Sequence, residues 1–471
     1  MAVIVSAEHS PENPPNNHSK PSSLSKLVKK LRHLRRSTSK KQNSDTSRQI
    51  SYYDPRPPLI PTSLPLVLPE HKHTLANLGW TTLTFPSPST PTSTSQDSSP
   101  PPSSPHPLET ATFALYTAAQ QFFNQPLSAK QVWKHDLGTE EGWSIVEGEK
   151  EFITLRTLSG TPEILRDAAE RYWSVVLGGR EGVLRGVLRG VEGSLGLGRE
   201  ETGNSSPTAE KSPLLNFLPP TPSMPRTEDE KTASMIRIFR YTLSSPSPIT
   251  ASSLPSEHIP SPPSDEQEDG IKVISEPHSD LGLLSLVTGD VPGLEVYNGE
   301  RFLDIERFYA HSSPPPPSSS SIQRMGSGKA TVLIGRHLSL LTNGRYPPGG
   351  HRVVSYHDSP LLPTPAQPST EAESKDGGQG TEYRHSIIFV LRAHSPVPVI
   401  SRELESDRTG KWETPVEEKD GVTAGDVYEN IRKGCWNVNL GKTEREKQRR
   451  DLEEEKVGGK EGEGGLGGKL G

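Results

Sequence analysis

The stretch ISEPHSDLGLLSLVTGDVPGLEVYNG, Ile274 to Gly299, holds a histidine and an aspartate two positions apart, His278 and Asp280, just ahead of an apolar run. With 15 His and 58 acidic residues in 471, a His followed two residues later by an acid is expected about twice by chance. It occurs once, so the spacing alone says nothing. The flanks say more. LGLLSLV and GLEVY read as short β-strands, and Asn298–Gly299 ahead of RFLDI is a hairpin turn signal. In an extended segment, residues i and i+2 point the same way. His278 and Asp280 can therefore supply two metal ligands from one strand edge.

Working outward, SMIRIFRYTL from Ser234, ATVLIG, HLSLLT, HRVVSYH and RHSIIFVLRAH read as further β-type segments. Many short antiparallel strands without intervening helices predict a sandwich or barrel. Upstream the pattern changes. ETATFALYTAAQQFFNQP and TPEILRDAAERYWSVVL read as buried helices, the second with Pro162 at its start and Gly178–Gly179 beyond its end. Trp143 and Trp173 are expected in the core. The echo GVLRGVLRG is too short to be an architectural repeat.

Only 30% of the chain is hydrophobic, with 47 Pro and 41 Gly, against a usual apolar share of about 45–50% on a scale that also counts Gly. Such a chain cannot bury its whole length. The Pro/Ser/acid-rich runs 86–107, 243–270, 312–328 and 358–381 are expected to be disordered insertions, which loop tips tolerate at modest entropic cost. The expected organisation is a disordered basic tail at 1–50, a helical and mixed region at 51–230, a β domain at 231–400, and a C-terminal helix with a charged, Gly-rich tail at 401–471. The basic tail carries SLSKLVKKLRHLRRSTSKK, with Leu24, Leu27, Val28, Leu31 and Leu34 at helical spacing. It suits weak contact with an anionic membrane surface, a nuclear import signal, or a plain solvated tail.

The net charge of −6 argues against a nucleic-acid-binding protein. One cysteine, Cys435, excludes a disulfide framework and a Cys-based cluster; beside Trp436 it reads as a packed residue. No apolar run approaches the ~20 residues that span a bilayer, and MAVIVSAEHSPENPP is a poor secretory signal. A cytoplasmic monomer is expected, with the nucleus as the alternative.

A metal face of two histidines and one carboxylate needs a third ligand from elsewhere in the sheet. His337 and His351 are the candidates. His337 lies in GRHLSLL, read as a strand with no carboxylate nearby. His351 opens HRVVSYH after the turn NGRYPPGG, a rigid position at a barrel mouth. In EYRHSIIFVLRAH, Arg384 and Ser386 share a strand face, while His385 points away. A guanidinium and a hydroxyl together suit a carboxylate, which arginine can grip with two parallel hydrogen bonds.

With these segments in order, the chain resembles the iron(II)/2-oxoglutarate-dependent oxygenase superfamily, in its isopenicillin N synthase-like branch. PHSDLGLLSLVTGDVPGLEVYNGERFLDI is similar to the His-x-Asp segment and following hairpin. LLTNGRYPPGGHRV is similar to the distal-histidine segment, RHS to the Arg-x-Ser, and SMIRIFRYTL to a strand ending in a tyrosine that contacts the oxoacid. QQFFNQP, GW and KEF resemble that branch's N-terminal region. The resemblance spans about residues 52–445.

It implies a mainly β fold, a double-stranded β-helix or jelly roll with flanking helices. It implies Fe(II) on His278, Asp280 and His351, and 2-oxoglutarate on Arg384, Ser386 and Tyr241. With oxygen as co-substrate, the family oxidises a small organic molecule by hydroxylation, desaturation or cyclisation. The chain departs from the pattern at Phe239, where many relatives carry Asn, in a missing Pro after Tyr241, and in the long gap between His351 and Arg384. A catalytically silent relative that serves protein partners, and an oxidase that needs no oxoacid, are the competing readings.

Overall fold

The computed structural model describes residues 54–85, 105–135, 140–179, 182–198, 212–243, 271–310, 329–356 and 383–461. The basic tail, the bulk of the four Pro/Ser/acid-rich runs and the terminal Gly-rich segment lie outside the described residues. Eleven strands are present among the described residues: β1 (Trp80–Thr84), β2 (Gly142–Val146), β3 (Lys150–Leu155), β4 (Met235–Thr242), β5 (Ile271–His278), β6 (Leu284–Gly289), β7 (Leu294–Tyr297), β8 (Phe302–Asp304), β9 (Lys329–Ile334), β10 (His351–Tyr356) and β11 (Tyr383–Leu391).

Strands β4 to β11 pair as a nest. β7 pairs with β8, β6 with β9, β5 with β10 and β4 with β11, all antiparallel. This is one long two-ply hairpin. It is rolled up so that its strands fall into two sheets, ordered β1-β9-β6-β11-β4-β3-β2 and β5-β10-β7-β8. Such a winding is a double-stranded β-helix, or jelly roll. At its tip, Gly299 takes φ +100°, and Asn298 Oδ1 accepts from the amides of Glu300 and Arg301, both at 2.9 Å. An Asn-Gly pair supplies this geometry because Gly meets no steric penalty at positive φ.

The two-residue period of the strands divides the molecule into two cores. Ile236 and Ile238 of β4 and Ile387 and Phe389 of β11 face the helices. Phe239 and Tyr241 of β4 face the opposite way, into the roll, with Phe152, Val287, Val296 and Val353. The helix Pro107–Phe123 covers the large sheet with Leu108, Leu115, Ala119 and Phe122, all buried. Trp173, in the helix Glu163–Leu177, meets Phe389 edge-on at 4.9 Å. Trp143 and Trp173 are each 1% exposed, as expected; truncating either would cost about 3–5 kcal/mol.

GVLRGVLRG forms most of the helix Val183–Leu195, whose apolar stripe of Leu184, Val187, Leu188 and Val191 is wholly buried. One expectation needs correction. HLSLLT, read as a strand, belongs to the helix Arg336–Leu341. Its Leu-rich, unbranched composition suits a helix better than a β-strand. The charged C-terminal run forms the helix Lys442–Glu461, in which Arg445 is buried against the roll. Among the described residues no helix is long and apolar enough to cross a membrane.

Candidate metal centre

Strand pairing brings the first two candidate ligands together. His278 is the last residue of β5, His351 the first of β10, and the two are register partners. Their rings lie 4.2 Å apart between centroids. Asp280 is not on the strand with His278, as the sequence reading had it. It lies in the loop just beyond. That loop is laid across the start of the helix Arg336–Leu341: Arg336 N donates to Asp280 O at 2.8 Å, and Gly335 N to Leu283 O at 2.9 Å. The approach requires glycine, since a Cβ on Gly335 would stand 2.0 Å from the carbonyl oxygen of Gly282.

The three side chains converge on one point. One ligand atom from each of His278, Asp280 and His351 lies within 4.8 Å of the others. Asp280 Oδ1 is 3.9 Å from His278 Nε2 and 4.0 Å from His351 Nε2. These separations are too long for hydrogen bonds, so the three atoms face each other without satisfying one another.

The rear nitrogens fix the tautomers. His278 Nδ1 bonds the carbonyl of Glu276 at 2.7 Å and His351 Nδ1 that of Gly349 at 3.1 Å, each two residues upstream. A carbonyl can only accept, so Nδ1 carries the proton and each Nε2 presents a lone pair inward. Burial, then the neighbouring His351, holds the His278 pKa well below the usual histidine range. The two histidines help to lower that of Asp280 against its own burial. Neutral imidazoles and an ionised carboxylate are the forms that bind a metal. The side chains of His278 and Asp280 are 18% and 20% exposed, that of His351 5%, so the face is open on one side. This donor set fits a divalent transition metal.

Deeper in the roll, Arg384 and Ser386 share the inner face of β11, opposite Tyr241 and Phe239 of β4. The Arg384 guanidinium is 5.8 Å from the Tyr241 ring. Burial raises the Tyr241 pKa to about 12, with Arg384 and a Ser386 hydrogen bond acting the other way. Arg384 sits in a slot that glycines make: a Cβ on Gly289 or Gly293 would lie 2.6 or 2.7 Å from its nitrogens. Its Nε donates to Val291 O at 3.0 Å and its Nη2 to Glu306 Oε2 at 3.1 Å. Its Nη1 is buried and makes no hydrogen bond to any described residue. Part of the fork expected to grip a ligand is thus held by Glu306. That glutamate also accepts from the amides of Gly293 at 2.9 Å and Leu294 at 2.8 Å. Sequence reading passed over Glu306 because its role depends on the β7–β8 hairpin folding back over β11.

The remaining candidates fall elsewhere. His337 is fully buried on the helix after β9, outside the ligand group, and burial lowers its pKa to about 4. His385 faces away from the roll, with its ring 6.1 Å from that of Phe123 and its Nδ1 2.9 Å from Asp290. Cys435 is partly buried. Three cations that sequence reading did not single out act on the centre: Lys150 and Arg336 on His278, and Arg237 on Asp280.

No protein-family model matches the chain, and no curated protein does. Among solved structures it is similar to JOX2 in complex with 2OG, Fe and JA, at 16% identity and a TM-score of 0.44, covering 89% of this chain and 96% of that one. It is also similar to a full-length Neurospora crassa protein in complex with alpha-KG, at 12% identity and a TM-score of 0.42, covering 76% and 88%. A third is the dioxygenase for auxin oxidation in rice, at 17% identity and a TM-score of 0.39, covering 75% and 90%. These are distant likenesses, and the reading of the site rests on the geometry above.

Proposed function

We propose that this protein is a non-haem Fe(II)- and 2-oxoglutarate-dependent oxygenase that hydroxylates, desaturates or cyclises a small organic molecule. The observation that carries this reading is the convergent, mutually unbonded face of His278, Asp280 and His351, open to solvent on one side. A purely structural histidine pair has no need of two inward lone pairs aimed at one carboxylate. The buried Nη1 of Arg384, without a partner among the described residues, supports the oxoacid part, since a buried donor left unsatisfied is costly.

When bound, iron and 2-oxoglutarate together supply the oxidising chemistry, with oxygen consumed and carbon dioxide and succinate released. The chain's own part is positioning. His278 and His351 hold the metal as neutral ligands, and Asp280 contributes one negative charge, leaving a dication net positive. Arg384 Nη1 and the Ser386 hydroxyl receive the distal carboxylate, beside Tyr241. Phe152, Phe239 and Val287 wall the roll against water.

The test is titration of the anaerobic Fe(II) protein with 2-oxoglutarate, followed by metal-to-ligand charge-transfer absorption. A saturable band is expected. Iron binding without a band would favour a silent relative or an oxoacid-independent oxidase; no iron binding would remove the reading altogether.

A further inference from the structure

Five lysines and arginines are buried among the described residues: Lys130, Lys150, Arg384, Arg392 and Arg445. Four of them hold a carboxylate. Lys130 meets Glu151 at 2.9 Å, Arg384 meets Glu306 at 3.1 Å, Arg392 meets Glu140 at 2.7 Å and Arg445 meets Glu149 at 3.1 Å. Lys150 is the exception. It is 3% exposed, and among the described residues its ammonium makes one hydrogen bond, to Val438 O at 3.1 Å. An ammonium has three donors, and a buried charge without a counter-ion is strongly unfavourable.

Its position gives the lysine a use. Lys150 is the register partner of Tyr241, and its Nζ stands 5.6 Å from the centre of the Phe239 ring. Phe239 in turn is 5.3 Å from Phe152 and stacks on Tyr241 at 5.2 Å. The lysine's charge is one of those felt by the metal ligand His278. A cation that pairs with no carboxylate among the described residues, at the edge of an aromatic surface that Arg237 also approaches at 5.9 Å from the Phe152 ring, matches a ligand with an apolar body and one anionic end. We propose that Lys150 is a specificity-determining residue that binds the carboxylate of the substrate, an aryl or alkyl monocarboxylic acid whose body lies against Phe152 and Phe239.

This deepens the oxygenase reading and rests on it. Burial, with Arg445 nearby, lowers the Lys150 pKa to about 7; Glu149 opposes this and Arg237 adds to it. These groups and His278 are the charges that face it. The lysine is therefore charged below about pH 7, where it would hold an acid best.

The probes are 3-phenylpropanoate, 4-phenylbutanoate and octanoate, each beside its primary amide. Binding is measured by calorimetry on the anaerobic Fe(II) protein with 2-oxoglutarate present. At pH 6.5 at least one acid should bind about tenfold or more tighter than its amide, as a charge-assisted contact allows. Lys150→Met should bring that acid down to the level of its amide, while Lys150→Arg keeps most of the preference and extends it to pH 8.5. Lys150→Met should also melt higher than wild type at pH 6.5, because it removes a lone buried charge; a structural lysine would give a lower melting point.

Absence of any acid preference in wild type overturns the proposal without recourse to a variant. So does a Lys150→Met protein that loses 2-oxoglutarate affinity as much as acid affinity, which would assign Lys150 to the oxoacid. A wild type that shows the charge-transfer band but no acid preference loses only this inference. One that shows acid preference but no band loses the oxygenase reading instead.

Discussion

The two ends of the roll's interior solve opposite problems. At the metal end, His278, Asp280 and His351 come from a strand end, a loop and a strand start, and backbone carbonyls orient both imidazoles. Nothing among the described residues neutralises the centre beyond its own aspartate. At the arginine end, Arg384 is already paired with Glu306, which is pinned by two amides. On the proposed reading, the first end is arranged around a cation that comes from outside. The second arrives with part of its charge balanced. Metal binding should therefore tolerate little change in its three ligands, whereas oxoacid binding should be adjustable in both directions.

The largest effect is expected at the metal end. Asp280→Ala removes the sole anionic ligand, and should weaken Fe(II) binding by more than about 100-fold, beyond the range of about 10–100-fold for outer-shell changes. Anaerobic equilibrium dialysis measures it directly. Iron affinity unchanged in both Asp280→Ala and His351→Ala would mean that the metal lies elsewhere.

Next comes Arg384→Lys. It keeps the charge but loses the planar fork, and should weaken 2-oxoglutarate by about tenfold or more with iron affinity unchanged. A charge-transfer titration with the same midpoint as wild type would show that the oxoacid does not use this arginine.

Glu306→Gln tests the difference between the ends in the other direction. Glutamine keeps an acceptor for the Gly293 and Leu294 amides but removes the negative charge beside Arg384. The oxoacid carboxylate then meets a cation with no competitor, and should bind about three- to tenfold tighter. Weaker binding in Glu306→Gln would mean that Glu306 orients Arg384 for its ligand, and that the pair acts as one unit.

The grouping of His278, Asp280 and His351 was legible in the sequence and the arginine end only in part, for a physical reason. Ligands follow short fixed spacings, and the order of His278, Asp280 and His351 survives any loop length between them. The Asp280 loop was misread as strand because the alternation rule takes no account of where pairing stops. β5 was not singled out as a strand: its pairing with β10 is interrupted by register shifts around Val353, and its burial does not alternate cleanly. Glu306 was invisible because its partner lies 78 residues away in the chain. Lys150 sat in the quoted KEF, yet only the β3–β4 register turns it toward Phe239. The helix Val183–Leu195 was hidden by its glycines, which ordinarily disfavour a helix by about 1 kcal/mol each. Here they let Leu64 and Thr62 pack close against it.

The smallest effect is expected from Glu276→Ala, and the reason is the backbone. The Glu276 carboxylate pairs with Arg445 at 3.4 Å and with Arg449, both on the C-terminal helix. Its carbonyl, not its carboxylate, receives the proton of His278 Nδ1. Alanine keeps that carbonyl. Arg445 keeps Glu149 at 3.1 Å, so no buried cation is stranded, and the pair with the partly exposed Arg449 is worth at most about 1 kcal/mol. Iron affinity should change by less than about threefold, below what a side-chain outer shell normally commands, with only a small drop in melting temperature. A tenfold loss of iron affinity would mean that the C-terminal helix holds the β5 end in place through this side chain. The metal end would then depend on a salt bridge, as the arginine end does, and the contrast between them would fail.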